Sequence, residues 1–321
     1  MAGIVGLGGG IGASRLWPAL ARAAAPARLT LVVNTASDLR LHGLRISPDL
    51  DTILDALSGR PDAGPGPGRR HETFENMKAL AELGGPTWFG RSDQDLATDL
   101  FRTGLLADGL TLTEATARLA TARGVRTPVL PMSDQEVTTR ISTTDGRLLT
   151  YPEYLVREQA APGVRGLRFD GIGTAQPAPG VLAALESADL IVLGPSDPVA
   201  SLLPILGLPG VTRALEQRRE RVVAVSPVVA STPGANEDER RRGQARAALL
   251  AAINLPDTAS GVARLYRDVC ARFVYDRADQ GEDTGIKAQG PQPVPADLRP
   301  GQGAPSGSLL SALLGGQVIR P

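Results

Sequence analysis

Short apolar runs alternate with longer amphipathic segments along most of the chain. The apolar runs are bounded by Gly, Asn, Pro or Ser, as buried strands often are, and lie at 3–7, 29–34, 127–131, 190–194 and 221–226. Segments with helical spacing lie between them, at 13–24, 95–106, 113–123, 179–186, 209–218 and 237–253. This alternation predicts an α/β fold in which helices cover a mainly parallel sheet.

The segment 137–151 differs, because its apolar and polar residues alternate with the period of a strand. Asp145-Gly146 supplies a two-residue hairpin turn, so we expect a small antiparallel excursion over about 135–170. The stretch from about residue 286 is rich in Pro, Gly and Gln and ends in a short apolar run. We therefore interpret 1–285 as one domain and 286–321 as a tail with at most one docked helix.

The composition excludes several functional classes. The chain has 321 residues, of which 42% are hydrophobic, so it can bury a sizeable core. Its 34 basic and 34 acidic residues balance, which argues against capture of nucleic acid or of an anionic membrane. Cys270 is the only cysteine, which excludes an internal disulfide and a cysteine-rich zinc site. No stretch approaches the ~20 apolar residues of a membrane span, and we expect a cytoplasmic protein.

Carboxylates are concentrated in the segment NTASDLRLHGLRISPDLDT, residues 34–52. Asp38, Asp49 and Asp51 would lie at one edge of the sheet if 29–34 is a strand. Because Mg²⁺ is usually held by one or two carboxylates together with substrate phosphates, these residues are candidate metal ligands. Asp49 alone also fits a cap for a helix that starts near Leu50.

A glycine-rich turn, GLGGGIGA at 6–13, follows the first predicted strand and opens the first predicted helix. Glycines at this place let backbone N–H groups approach a phosphate at the positive end of a helix. The alternative is a tight turn that needs glycine for conformational reasons. Asn34 stands where a dinucleotide site usually has an acidic residue, which disfavours NAD.

Small polar residues follow three further predicted strands, namely Ser133 and Asp134, Ser196 and Asp197, and Ser226. In open α/β sheets ligands bind outside the carboxyl ends of the strands, so these residues indicate a shared crevice.

A second acidic cluster, SDQDLATD at 92–99, opens a predicted helix. Its aspartates either complement the helix dipole or, with Arg91 and Arg102, contact substrate groups. His42 either binds a ligand or packs within its loop.

The order of these motifs resembles one family closely: the 2-phospho-L-lactate transferases (CofD-like) of deazaflavin coenzyme F-420 biosynthesis. The resemblance runs from Gly8 to about Asp276, and the segments that carry it include GGGIGASRL, VVNTASD, HGLRISPDLDT, SDQDLATDLFRT, LPMSDQEV and PILGLPGV. It implies a Rossmann-like fold with helices on both faces of the sheet, a Mg²⁺ cofactor and a homodimer. The donor would be a guanosine diphosphate ester of lactate or a related three-carbon acid. The acceptor would be the ribityl hydroxyl of the 5-deazaflavin Fo, with GMP released.

The resemblance also implies roles for individual residues. Asp51 would contact the deazaflavin or orient its hydroxyl, Asp49 would share the catalytic role, and both would join Asp38 at the metal. It places Gly9, Gly10 and Gly12 at the donor's phosphates and Asn34, Thr35, Ser133, Ser196 and Ser226 along the crevice. The motifs described above add as candidate substrate-binding residues His42, Arg91, Asp93, Asp95, Thr98, Arg102 and Asp134.

The chain departs from the family pattern at two places that matter. Ala36-Ser37-Asp38 stands where many relatives have Gly-Asp-Asp, and a Gly- and Lys-bearing loop is replaced by STPGANEDERRR at 231–242. Arg240 to Arg242 could supply the positive charge that this loop otherwise carries. These departures keep a second hypothesis open, a non-catalytic CofD-like regulator that binds a nucleotide or nucleotide sugar. An NAD-dependent dehydrogenase is disfavoured by Asn34.

Overall fold

The computed structural model describes residues 3–24, 28–59, 72–229, 236–298 and 306–315. Its strands are β1 (Ile4–Leu7), β2 (Leu29–Val33), β3 (Leu39–Leu41), β4 (Leu44–Ile46), β5 (Val129–Pro131), β6 (Thr138–Thr143), β7 (Leu148–Thr150), β8 (Val164–Asp170), β9 (Leu190–Leu193), β10 (Val222–Val225), β11 (Arg272–Asp276) and β12 (Gln292–Ala296). Its α-helices are α1 (Gly10–Ala24), α2 (Pro48–Leu57), α3 (Glu75–Glu82), α4 (Asp93–Ala107), α5 (Leu112–Ala122), α6 (Val181–Ser187), α7 (Leu203–Leu206), α8 (Val211–Glu216), α9 (Glu237–Ala252), α10 (Ala259–Leu265), α11 (Asp283–Ala288) and α12 (Gly307–Leu314).

The main sheet is seven-stranded and parallel, with the order β12-β11-β10-β9-β1-β2-β5. Strands such as IVGL and VVAV are apolar and buried throughout, as expected where helices cover both faces. Successive residues of a strand enter different cores, because Val32 packs in one cluster while Leu31 and Val33 pack in the other. The predicted α/β sheet with helices on both faces is confirmed.

A three-stranded antiparallel sheet, β7-β6-β8, stands beside the main sheet and confirms the predicted excursion. Its hairpin turn differs from the two-residue turn expected at Asp145-Gly146, since residues 144–147 connect β6 to β7. The Asp145 carboxylate accepts hydrogen bonds from the Thr143 hydroxyl and from the Arg147 backbone N–H, which holds the longer turn.

The C-terminal stretch contributes more structure than the expected tail. β12 pairs with β11 at the edge of the main sheet, where its two prolines are tolerated because an edge strand has only one paired side. Leu309 and Leu313 of α12 are buried in one of the two cores. The predicted boundary at 285/286 therefore falls inside α11 rather than between independent units. In the described ranges no helix is long and apolar enough to cross a membrane.

Candidate active site

The carboxyl ends of the parallel strands bring the predicted polar residues to one edge of the sheet. Asn34, Ser133, Ser196 and Ser226 follow β2, β5, β9 and β10, and all four are buried. The glycine turn follows β1, which lies between β9 and β2. β9 and β2 come from opposite halves of the strand order, so this edge is the switch point at which open α/β sheets bind ligands.

The glycines of this turn permit a close approach between three segments. The Gly9 N–H donates to Ser196 Oγ at 3.1 Å, which ties the turn after β1 to the turn after β9. A Cβ atom at Gly9 would lie 2.3 Å from Asp49 Oδ2, and one at Gly12 would lie 2.0 Å from the Pro195 carbonyl oxygen. Gly10 has φ +70°, a left-handed conformation that glycine adopts without strain. The turn is therefore built around the Asp49 carboxylate.

Asp49 is a buried carboxylate held mainly by neutral groups. It lies in the first turn of α2, and its Oδ2 accepts hydrogen bonds from Asn34 Nδ2 at 2.9 Å and Ser201 Oγ at 3.5 Å. Asn34 is itself fixed, because its Oδ1 accepts the Ala36 N–H at 3.0 Å. Burial raises the pKa of Asp49 to about 7, and the negative charge of Asp38 acts in the same direction.

Asp38 lies near enough to Asp49 for its charge to help raise the Asp49 pKa, but it has a positively charged neighbour of its own. Its Oδ2 accepts hydrogen bonds from Arg45 Nη2 at 3.0 Å and from Ser47 Oγ at 2.7 Å. Its Oδ1 is buried and has no hydrogen-bond partner among the described residues. Burial raises the pKa of Asp38 to about 6 even though Arg45 opposes the shift. A buried, unpartnered carboxylate oxygen beside a second carboxylate is suited to a cation.

Asp51 is held in a different environment, a cluster of buried ion pairs. It pairs with Arg102, and with Arg91 at 3.2 Å, while Asp99 pairs with the same two arginines at 3.2 and 2.8 Å. Burial acts to raise the pKa of Asp51, but the arginines outweigh it and hold the pKa below its usual value. The structure thus separates Asp51 from Asp38 and Asp49, with which the sequence grouped it.

The three predicted metal ligands differ in how well they fit Mg²⁺. Within the described ranges, no group of three or more His, Cys, Asp and Glu side chains is arranged to hold a metal ion. Asp38 and Asp49 fit the ion as a pair, because Mg²⁺ commonly takes one or two carboxylates and completes its shell with waters and substrate phosphates. Asp51 does not fit, because both of its carboxylate oxygens pair with arginines, whereas Asp38 pairs with Arg45 through Oδ2 and keeps Oδ1 available.

Most residues of the second acidic cluster organise helices. Asp93 accepts hydrogen bonds from Thr73 Oγ1 and from the Asn76 N–H at 2.9 Å, and so binds the start of α3. Asp95 forms a capping box with Ser92 at the start of α4. Thr98 Oγ1 accepts a hydrogen bond from Arg123 at 2.8 Å. Of the two interpretations of this cluster, these contacts favour a role in stabilising helix starts over direct contact with substrate.

The other predicted substrate-binding residues are spread over several environments. Asp134 accepts hydrogen bonds from the N–H and hydroxyl of Thr113, near the start of α5. Thr35 Oγ1 is buried next to Asn34 without a partner in the described part of the chain. His42 occupies the exposed turn between β3 and β4 with φ +53°. Thr35 thus lies at the crevice, whereas His42 is a turn residue.

The structure adds residues to this edge that the sequence did not single out as site residues. Tyr151 is partly buried within the electrostatic influence of Asp197, Asp49 and Arg242. Ser201 reaches Asp49 from the turn at 198–202. The sequence indicated Arg240 to Arg242 only as a possible source of positive charge, and the fold shows that Arg242 lies near Tyr151.

These features define a Rossmann-like α/β protein whose crevice holds a buried carboxylate pair beside a glycine turn. The sequence profile of the 2-phospho-L-lactate transferase CofD family matches residues 4–298, so the chain belongs to that family and is a transferase. The resemblance inferred from the sequence motifs is thereby confirmed.

Individual relatives agree with this assignment. The chain is 38% identical over 292 residues to a phosphoenolpyruvate transferase of Streptomyces griseus, covering 89% of each chain. It is 34% identical over 282 residues to a 2-phospho-L-lactate transferase of Methanosarcina mazei, covering 88% of this chain and 89% of the relative. A crystal structure of a UPF0052-family protein from Bacillus halodurans matches with a TM-score of 0.64 over 98% of each chain at 20% identity, which shows a shared fold.

Proposed function

We propose that this protein transfers a phosphorylated three-carbon acid from a guanosine diphosphate ester to the ribityl hydroxyl of the 5-deazaflavin Fo, releasing GMP, in coenzyme F-420 biosynthesis. In this proposal the reaction depends on Mg²⁺. Membership of the CofD family over residues 4–298 supports the reaction class. The observation that carries the proposal is the Asp49 carboxylate, buried against the glycine turn with its pKa raised to about 7.

The residues of the crevice would have separate roles in metal and phosphate binding. Asp38 and Asp49 would hold the Mg²⁺ ion, which neutralises charge on the transferred phosphoryl group. The start of α1 offers backbone N–H groups and a positive helix end to the donor's phosphates. Phosphoryl transfer requires chiefly positioning and charge neutralisation, so no covalent nucleophile is needed.

The proposal extends to the three-carbon acid that the donor carries. Relatives of similar identity are named for phosphoenolpyruvate and for 2-phospho-L-lactate. We therefore propose lactate or enolpyruvate as the acid, and the two esters can be compared directly. The resemblance to the family also supports a homodimer in the cytoplasm. Light scattering tests the dimer, and a mass near the 33.4 kDa of one chain would contradict it.

The test is a transfer assay with the purified protein, Fo, Mg²⁺ and each of the two guanosine diphosphate esters. We expect GMP and a more polar fluorescent product with at least one ester, and no product when EDTA removes the metal. Asp49→Asn should lower the transfer rate by about 100-fold or more, because the variant loses the charge that faces the metal. Binding of a nucleotide sugar without any transfer would favour the regulator instead.

Asp170→Asn is a matched control for this experiment. Asp170 is also an aspartate with a charged partner, but it is 40% exposed and pairs with Arg168 in the antiparallel sheet. Its loss should leave transfer within about twofold of the wild type, since exposed ion pairs contribute little. Equal loss of activity in both variants would contradict a specific role for Asp49.

A further inference from the structure

One face of α9 reaches from α1 to the turn after β10, beside the crevice. Glu239, Arg242 and Arg246 lie on this face, because residues three and four apart in a helix are neighbours. Arg15 in the second turn of α1 pairs with Glu239 at 2.7 Å. Arg246 Nη1 donates to the Pro227 carbonyl oxygen at 3.3 Å, immediately after Ser226 at the end of β10. Arg242 lies between these two contacts on the same face of the helix, and its charge interacts with those of Arg15 and Tyr151.

Arg242 differs from the two arginines near it in its lack of an ionic partner. Arg15 is paired with Glu239, and Arg246 is paired with Asp257 at 2.7 Å. Asp238, an acidic residue of the same helix, is paired with Arg241 at 3.1 Å. Arg242 is partly buried, and across the described ranges it forms no ion pair. Burial accordingly lowers its pKa.

The surroundings of Arg242 connect it to the proposed site. Its charge acts on Tyr151, and the Tyr151 hydroxyl also lies within the influence of Asp49 and Asp197. The nearby carboxylates of its own helix attract Arg242, but they form their ion pairs with other arginines. A partly buried guanidinium without an ion pair of its own is stabilised by an anionic ligand. Its planar guanidinium matches the geometry of two phosphate oxygens.

We propose that Arg242 binds the diphosphate group of the guanosine ester, opposite the carboxylate pair of Asp38 and Asp49. This inference rests on the proposed function, since it assigns a phosphate contact to the same site. Arg242 thereby determines affinity for the nucleotide donor. Arg242 supplies from α9 a positive charge that the glycine turn at the start of α1 lacks.

The test is isothermal titration of GDP and of inorganic pyrophosphate into the wild type and Arg242→Gln. We expect the variant to bind both ligands about 10- to 100-fold more weakly, since a charge-assisted contact to phosphate is lost. Arg242→Lys should fall between the two, because it keeps the charge but loses the planar fork. Unchanged affinity for GDP, or a loss for GDP without a loss for pyrophosphate, would overturn the inference.

Arg241→Gln is the matched control. It removes the same charge from the adjacent residue, but Arg241 pairs with Glu237 and Asp238 of its own helix. Its affinity for GDP should remain within about twofold of the wild type, as expected for a partly exposed pair. If Arg241→Gln weakens binding as much as Arg242→Gln, the effect is one of net charge and the proposal fails.

A wild type that binds GDP but catalyses no transfer would contradict the proposed function, while the GDP affinities of the variants would still test the role of Arg242.

Discussion

Asp49 and Asp51 stand two residues apart but face different parts of the molecule. Both belong to the first turn of α2, and residues two apart in a helix point to nearly opposite sides. Asp49 consequently faces the glycine turn, whereas Asp51 faces Arg102 of α4. An extended loop would have placed both carboxylates on one side. The sequence identified the segment, but the roles of its aspartates depend on where the helix begins.

The contact between the glycine turn and Asp49 leads to a prediction for Gly9. Gly9→Ala would put a Cβ atom 2.3 Å from Asp49 Oδ2 and displace the carboxylate from Asn34. We expect transfer to fall by about 100-fold, because small displacements in a preorganised site are costly. The melting temperature should fall as well, by several degrees, since the buried turn must shift.

Gly104→Ala provides the comparison for Gly9. Gly104 lies in α4, and a Cβ atom there would meet nothing within 4 Å. Alanine should therefore leave transfer unchanged and stabilise the helix by about 0.5–1 kcal/mol. The transfer rate and the melting temperature are measured for both variants. A fully active Gly9→Ala enzyme would show that the position of the Asp49 carboxylate is not critical.

At the level of elements, the ion cluster fixes α2 to α4. Asp51 of α2 pairs with Arg102 of α4, and Arg91 just before α4 joins Asp51 to Asp99. The two carboxylates have opposite pKa shifts although they share arginines. Burial raises the pKa of Asp99 to about 6, and the charge of Asp51 adds to that effect, whereas Asp51 keeps its charge. Asp51 is thus the anion on which the junction depends.

Asp51→Asn should destabilise the protein by up to about 3–5 kcal/mol at pH 7, because Arg102 is only 1% exposed and would keep only Asp99, which it shares with Arg91, as a carboxylate partner among the described residues. The pKa of Asp51 is lowered in the folded protein, so its stabilisation is present above the unfolded pKa of about 4 and is lost as pH falls through the folded pKa. Urea unfolding of both proteins between pH 7 and pH 3 measures the difference.

The expected difference between wild type and Asp51→Asn shrinks towards acid pH. A variant with unchanged stability but no transfer would instead assign Asp51 to the chemistry, as the family resemblance implied. Asp170→Asn again supplies a reference, since its exposed pair should contribute less than about 1 kcal/mol at any pH in this range.

The elements that the sequence predicted well are those with an unambiguous pattern. The apolar run at 190–194 became β9 (Leu190–Leu193), and the segment 237–253 became α9 (Glu237–Ala252). β11 and β12 were not predicted, since one begins with Arg272 and the other, QPVPA, alternates with proline. Proline usually argues against a strand, and only its place at the sheet edge makes β12 possible.

At the scale of the whole molecule, the order of strands creates the crevice. Local patterns predict that parallel strands exist, but they do not determine that β9 pairs with β1. That pairing brings Ser196 to the Gly9 N–H, at a separation of 187 residues in the chain. The candidate site is therefore a long-range product of the fold, and sequence reasoning reached its members separately, as polar residues after strands.

The same long-range packing makes the C-terminal stretch part of the domain. Leu313 of α12 is fully buried, and Arg272 at the start of β11 donates to the Ala312 and Leu313 carbonyl oxygens.

Leu313→Ala should lower the free energy of unfolding by about 2–5 kcal/mol, the usual effect of removing a buried leucine side chain. Ser311 is an exposed residue of the same helix, two positions before Leu313. Ser311→Ala should change the free energy of unfolding by less than about 0.5 kcal/mol. Chemical unfolding of both variants measures these changes, and a Leu313→Ala protein as stable as Ser311→Ala would mean that α12 is dispensable. Since α12 packs mainly against β11 and β12 at the sheet edge, GDP affinity should be retained below the melting transition, which separates stability from function.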